Sequence, residues 1–132
     1  MKNIALLLCL GLVVAVVTSG FAAQSAGKKP KGKLRHVVAF KFKEGTSAAE
    51  MKKVEDAFRD LNTKIPEIVA FDWGTNVSAE KRDKGFTHCF VLSFKNTADR
   101  DTYLAHPEHK KFGELIGPVL ADVFVLDFWA QK

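Results

Sequence analysis

From residue 34 onward, two hydrophobic periods alternate along the chain. In LRHVVAFKFK (34–43), Val38, Phe40 and Phe42 share one parity and Val37 and Ala39 the other, the period of a β-strand. Gly45-Thr46 breaks it, and Ser47 with Glu50 three residues on forms a capping box. Met51, Val54, Phe58, Leu61 and Ile65 then recur at helical spacing, with Lys52, Lys53, Glu55, Asp56, Arg59 and Asp60 off the stripe. Pro66 ends that helix by pushing Ile65 to extended geometry. Period two returns in IVAFDWGTN (68–76), with Val69, Phe71 and Trp73 on one face, and in FTHCFVLSF (86–94). There, Phe86, His88, Phe90, Leu92 and Phe94 oppose Cys89 and Val91. Thr97 is the expected cap of a short helix from Ala98 to about Ala105. Pro107 suits the first turn of another helical segment, ending near Gly113 or Gly117-Pro118. DVFVLDFW (122–129) reads as the last strand.

The order strand, helix, strand, strand, helix, strand predicts an α+β, ferredoxin-like βαββαβ fold. Such a fold covers one sheet face with helices. Yet the first, third and last strands are apolar on both faces, pairing Val37 with Phe40, Val91 with Phe90 and Val125 with Phe124. A large bare apolar face is rare on soluble monomers. The pattern therefore predicts a second copy, sheet against sheet, in a two-fold dimer.

The first 33 residues follow another logic. Met1-Lys2 is a short positive start, Ile4 to Val17 is apolar, and small residues follow through Ala23. A run this short is below the roughly 20 residues of a membrane span and fits a signal peptide at 1–23, with cleavage after Ala22 or Ala23. The expected mature protein is exported, to a periplasm or the extracellular space, with no stable membrane insertion after cleavage. QSAGKKPKGK (24–33) has no apolar period and reads as a flexible basic linker, leaving one domain at 34–131.

The linker changes the meaning of the net charge of +5. Lys2, Lys28, Lys29, Lys31 and Lys33 precede Leu34, so from Leu34 onward fifteen basic residues face fifteen acidic ones. A neutral domain with a short basic tail gives no footprint for nucleic acid. Removal of the leader also removes Cys9 and leaves Cys89 alone, which excludes an internal disulfide. Its place in an apolar strand predicts a buried thiol.

The chemistry concentrates in YLAHPEHKKF (103–112), with Tyr103, His106 and His109 around Pro107. Two histidines without a cysteine pair or a carboxylate cage make a weak metal signal, so no metal site is expected. Proton transfer is the second meaning: in the first turn of a helix begun by Pro107, His109 is held neutral by the helix dipole and can exchange a proton with a tyrosine hydroxyl. His36 and His88, on the first and third strands, are candidates for the same space. The structural meaning stands beside these: His106 caps a helix, and Tyr103 and His88 belong to the core.

RHVVAFKFK (35–43), IPEIVAFDWGTNVS (65–78), GFTHCFVLSF (85–94) and YLAHPEHKKF (103–112), in that order, resemble the stress-responsive α/β-barrel (Dabb) domain family over essentially the whole domain. The resemblance implies a ferredoxin-like fold whose two sheets form a barrel in a dimer, with helices outside. One plant member is a polyketide cyclase that performs an aldol condensation without a cofactor. Its essential tyrosine and histidine match Tyr103 and His109, and its other pocket histidines match His36, His88 and His106. The resemblance thus implies His109 as base, Tyr103 polarising a carbonyl, and His36 assisting. Polyketide cyclisation itself is not expected, because an exported protein does not meet intracellular acyl thioesters.

The expectation is an exported dimer with a small-molecule pocket in each subunit, taking an apolar or aromatic ligand and needing no cofactor. Tyr103, His109 and His36 are its candidate catalytic residues, and His88, His106, Phe40, Phe90 and Trp73 its candidate lining. The alternative is a non-enzymatic stress or stability protein that acts as a dimer.

Overall fold

The computed structural model describes residues 32–131. The expected signal peptide, and the linker up to residue 31, lie outside the described residues. Within them run β1 (Leu34–Phe42), α1 (Ala48–Lys64), β2 (Ala70–Thr75), β3 (His88–Phe94), α2 (Thr97–Ala105), α3 (Pro107–Ile116) and β4 (Leu120–Trp129). The strands form one antiparallel sheet in the order β2-β3-β1-β4. This is the ferredoxin-like arrangement, with its second helix divided at His106-Pro107.

The local signals act as chemistry requires. The Ser47 hydroxyl accepts from the Glu50 N–H while the Glu50 carboxylate accepts from the Ser47 N–H at 2.8 Å, so two free donors of α1 are satisfied at once. Ile65 closes α1 in extended geometry before Pro66. The cap of α2 differs from expectation. Asn96, not Thr97, is the extended residue, and its side-chain oxygen accepts from the Asp99 N–H at 2.9 Å. Phe86 also differs: it precedes β3 in a turn closed by its N–H to the Asp83 carbonyl, so it is not part of the strand.

Strand alternation sends Leu34, His36, Val38 and Phe40 of β1, and His88, Phe90, Leu92 and Phe94 of β3, toward the helices, where all are buried. Val54, Phe58 and Leu61 of α1 meet them with Phe112 and Ile116 of α3. Phe58 is the centre of this core. Its ring lies 4.2 Å from Phe90, 4.8 Å from Phe112 in a stacked pair, and 5.6 Å from Phe40, centroid to centroid. One side chain thus ties α1 to both inner strands and to α3.

The opposite sheet face carries Val37, Ala39, Cys89 and Val91, continued by exposed Phe124, Leu126 and Phe128 on β4. Cys89 is exposed there, contrary to the buried thiol expected from its strand pattern. Strand parity puts it on the face without helices, where none of the described residues covers it. Partial burial still raises its pKa above the ordinary thiol value.

Phe58→Ala is expected to cost about 3–5 kcal/mol, the range for removing a buried aromatic ring. Urea unfolding followed by circular dichroism measures it. A loss below 1 kcal/mol, the size of a surface change, would show that the core is not organised around this ring.

Candidate functional site

The helices leave β4 uncovered on its inner side. A cavity of about 290 Å³ opens there between β4, β1 and α3, and Tyr103, His36 and His109 line it with Phe40, Val125 and Asp127. Tyr103 comes from the last turn of α2 and is 1 % exposed. His109 lies in the first turn of α3, and His36 on the helix-facing row of β1. The Tyr103 ring contacts both imidazoles, 4.5 Å from His109 and 5.7 Å from His36, centroid to centroid.

Each imidazole is anchored through the same ring atom. His109 Nδ1 lies 3.2 Å from the Leu104 carbonyl oxygen, which can only accept, so Nδ1 carries the proton and donates. His36 Nδ1 lies 2.6 Å from Asp127 Oδ1 and donates to that carboxylate. Among the described residues neither Nε2 has a hydrogen-bond partner. The arrangement thus presents two imidazole Nε2 atoms as free proton acceptors beside a phenol. The second oxygen of Asp127 accepts from Arg100 of α2. That guanidinium stabilises the carboxylate charge at the back of the site, where side chains from α2, β1 and β4 meet.

Burial tunes the two proton-exchanging groups. Desolvation lowers the His109 pKa below its usual value and outweighs the raising effect of the Leu104 hydrogen bond; the smallest effect is from His36, because a proton on either imidazole opposes one on the other. The sequence anticipates a neutral His109 from the helix dipole, and burial acts in the same direction. Desolvation also raises the Tyr103 pKa far above that of a free phenol, so the hydroxyl keeps its proton and can donate a hydrogen bond to a carbonyl oxygen.

The other sequence candidates lie elsewhere. His106 is the N-cap of α3, its Nδ1 accepting from the Glu108 N–H at 3.2 Å. His88 is buried beneath α1, with Nε2 2.9 Å from Glu55 Oε1 and Nδ1 2.8 Å from Thr87 Oγ1. Both ring nitrogens are thereby occupied. Phe90 is wholly buried in the core, and Trp73 stacks on it at 5.6 Å with Arg59 over the indole. The structure brings Tyr103, His109, His36 and Phe40 to one cavity and keeps His88, His106, Phe90 and Trp73 outside its lining. Asp127 and Arg100 escaped the sequence reading. The signal for Asp127 is a carboxylate in the inward row of β4, which is otherwise Val123, Val125 and Trp129, in register with His36. Arg100 has no such signal, because its partner lies 27 residues away across the fold.

Comparison with known proteins bears on the fold and the family. The profile of the stress-responsive A/B barrel domain (Dabb) matches residues 34–130. The chain belongs to the Dabb family. The Arabidopsis thaliana stress-response A/B barrel domain-containing protein HS1 is 32 % identical over 101 residues, which cover 76 % of this chain and 93 % of that protein. Olivetolic acid cyclase of Cannabis sativa is 23 % identical over 99 residues, 75 % of this chain and 98 % of the cyclase. Among solved structures, the hydroxynitrile lyase of Passiflora edulis superposes with a TM-score of 0.72 at 25 % identity, covering 78 % of this chain and 97 % of the lyase. A ferredoxin-like protein from Thermobifida fusca, described as dimeric and of unknown function, gives a TM-score of 0.65 at 22 % identity over 76 % of this chain and 93 % of its own. The Dabb fold therefore occurs in named enzymes and in proteins without an assigned activity.

His109 is expected to take up its proton below pH 6.5, the ordinary imidazole value. The stability consequence has a definite sign. As pH falls through 6.5, the unfolded chain gains a proton that the folded chain resists, so His109 lowers stability on acidification and has no such effect at neutral pH and above. An NMR titration of the His109 ring gives the midpoint directly. Urea midpoints between pH 7.5 and 5.5 should fall less steeply in His109→Gln than in the parent. Equal slopes would remove His109 from the acid response.

Proposed function

We propose that this Dabb protein is exported and works as a homodimer whose subunits each hold a small apolar or aromatic molecule. Tyr103 and His109 then carry out cofactor-free proton transfer on that ligand. The observation that carries the reading is the Tyr103 ring in contact with two Nδ1-anchored imidazoles at an apolar cavity. Neutral His109 removes a proton from the carbon next to a carbonyl through Nε2. Tyr103 donates a hydrogen bond to the carbonyl oxygen as negative charge builds there, and the anchored His36 assists. The proton returns from the His109 imidazolium to the carbon or to another acceptor, which closes the cycle with no redox change. No step needs a metal or an organic cofactor.

Two further observations support the rest of the reading. The apolar Ile4–Val17 run with its small-residue exit carries the export proposal. The exposed row Phe124, Leu126 and Phe128, continuous with Val37 and Val91, carries the homodimer, as does the dimeric state described for structural neighbours. That same face favours the second reading, in which the dimer is the functional unit and no chemistry occurs.

Phenylacetaldehyde in D₂O separates the two readings. The protein should accelerate deuterium exchange at the α-carbon, followed by proton NMR. His109→Ala should reduce the rate roughly 10²- to 10⁴-fold, the usual worth of a general base. Tyr103→Phe should slow exchange while native mass spectrometry still finds a dimer. No acceleration above buffer by an intact wild-type dimer would favour the non-enzymatic reading. A wild-type monomer would sink both.

A further inference from the structure

The two cavity imidazoles are anchored by groups of different kinds. His109 donates to the Leu104 carbonyl, a backbone group that cannot turn away. His36 donates to Asp127, a side chain on the edge strand β4. That carboxylate is 26 % exposed and borders the open cavity, so rotation about its own side-chain bonds can carry it toward solvent. The His36 ring is buried and has no such freedom. Without Asp127, its Nδ1 would be a buried nitrogen with no partner, and nothing would choose between its two neutral tautomers.

Arg100 restrains that carboxylate. It lies on α2, three residues before Tyr103 and so on the same side of the helix. Its Nη1 donates to Asp127 Oδ2 while His36 takes Oδ1, so each carboxylate oxygen has its own partner. Nε of the same guanidinium donates to Asp101 Oδ1 at 2.8 Å, which steadies the plane of the fork. A guanidinium keeps its charge throughout the working pH range, so the restraint does not titrate away. Arg100 does not line the cavity. Its effect on a ligand passes through Asp127 and His36.

We infer that Arg100 is a positioning residue: by holding Asp127 it keeps the proton of His36 on Nδ1 and leaves Nε2 as an acceptor toward the cavity. The inference deepens the proton-transfer reading, on which its kinetic consequence rests. The tautomer of His36 does not depend on that reading. Tyr103 and His109, the other titratable groups beside His36, do not fix it. Tyr103 approaches ring to ring, and His109 holds its own proton toward Leu104.

Nitrogen-15 NMR of the histidine rings in the whole protein, at about pH 8.5 where a free imidazole is neutral, tests it. Wild-type His36 should show one tautomer, with the proton on Nδ1. Arg100→Leu should move His36 toward a mixture, its two nitrogen shifts approaching one another, while His109 keeps its Nδ1 proton. Arg100→Lys should restore most of the single tautomer, since an ammonium can still hold Oδ2. In the deuterium-exchange assay, Arg100→Leu should lower kcat roughly tenfold, the scale of a lost orienting contact, and leave KM within about twofold. A single Nδ1 tautomer of His36 in Arg100→Leu would overturn the inference, because Asp127 would then need no restraint. Loss of the His109 tautomer in both variants would also overturn it, since Arg100 would then serve the fold at large. Absence of exchange by the wild type would remove the proton-transfer reading alone, and a mixed His36 tautomer in Arg100→Leu would still support the inference.

Discussion

The packing of Phe58 against Phe40, Phe90 and Phe112 determines where the helical layer can sit. Those rings belong to the two inner strands and to α3, so α1 is drawn over the middle of the sheet and α3 is held beside it. A layer centred on β1 and β3 does not reach β4. The uncovered inner side of β4 becomes the cavity, and the valines that would be core in a wider layer become its exposed wall. The stabilising interaction and the opening are two consequences of one placement.

Polar groups occur inside this apolar frame only where they are satisfied. His36 is buried and gives its Nδ1 proton to Asp127, which Arg100 also holds. His88 is buried and uses both nitrogens, on Glu55 and Thr87. The difference between them is chemical. An imidazole with both nitrogens occupied joins a strand to a helix, whereas one with a single nitrogen occupied keeps a lone pair for another molecule. His109 follows the second pattern through the Leu104 carbonyl, and burial keeps it neutral. Of the chain's four histidines, only His36 and His109 therefore combine an anchored ring with a place in the cavity.

The bare sheet face and the open cavity share β4. Its outward residues Phe124, Leu126 and Phe128 continue the apolar face, while Val123, Val125 and Asp127 line the cavity from the other side. A single layer of backbone separates the apolar face from the cavity.

Sequence periodicity by itself determined the elements, their order and the two-faced sheet, because alternation and helical spacing are local properties that survive without knowledge of neighbours. It also located the Ser47–Glu50 cap, Pro66 as a helix stop, and the Tyr103–His109 cluster, since each is a short-range pattern. It misplaced the α2 cap by one residue, where Asn96 and Thr97 both have capping side chains and only the backbone angles choose. It made Cys89 buried because parity says which residues share a face and not whether anything covers that face. The tertiary structure alone decided that His36 joins His109 while His88 and His106 do not. It alone supplied Asp127 and Arg100. These depend on strand register and on side chains that meet across as many as 91 residues of chain. A hydrogen bond needs its partner at about 3 Å, and no local pattern specifies a distance between segments that far apart.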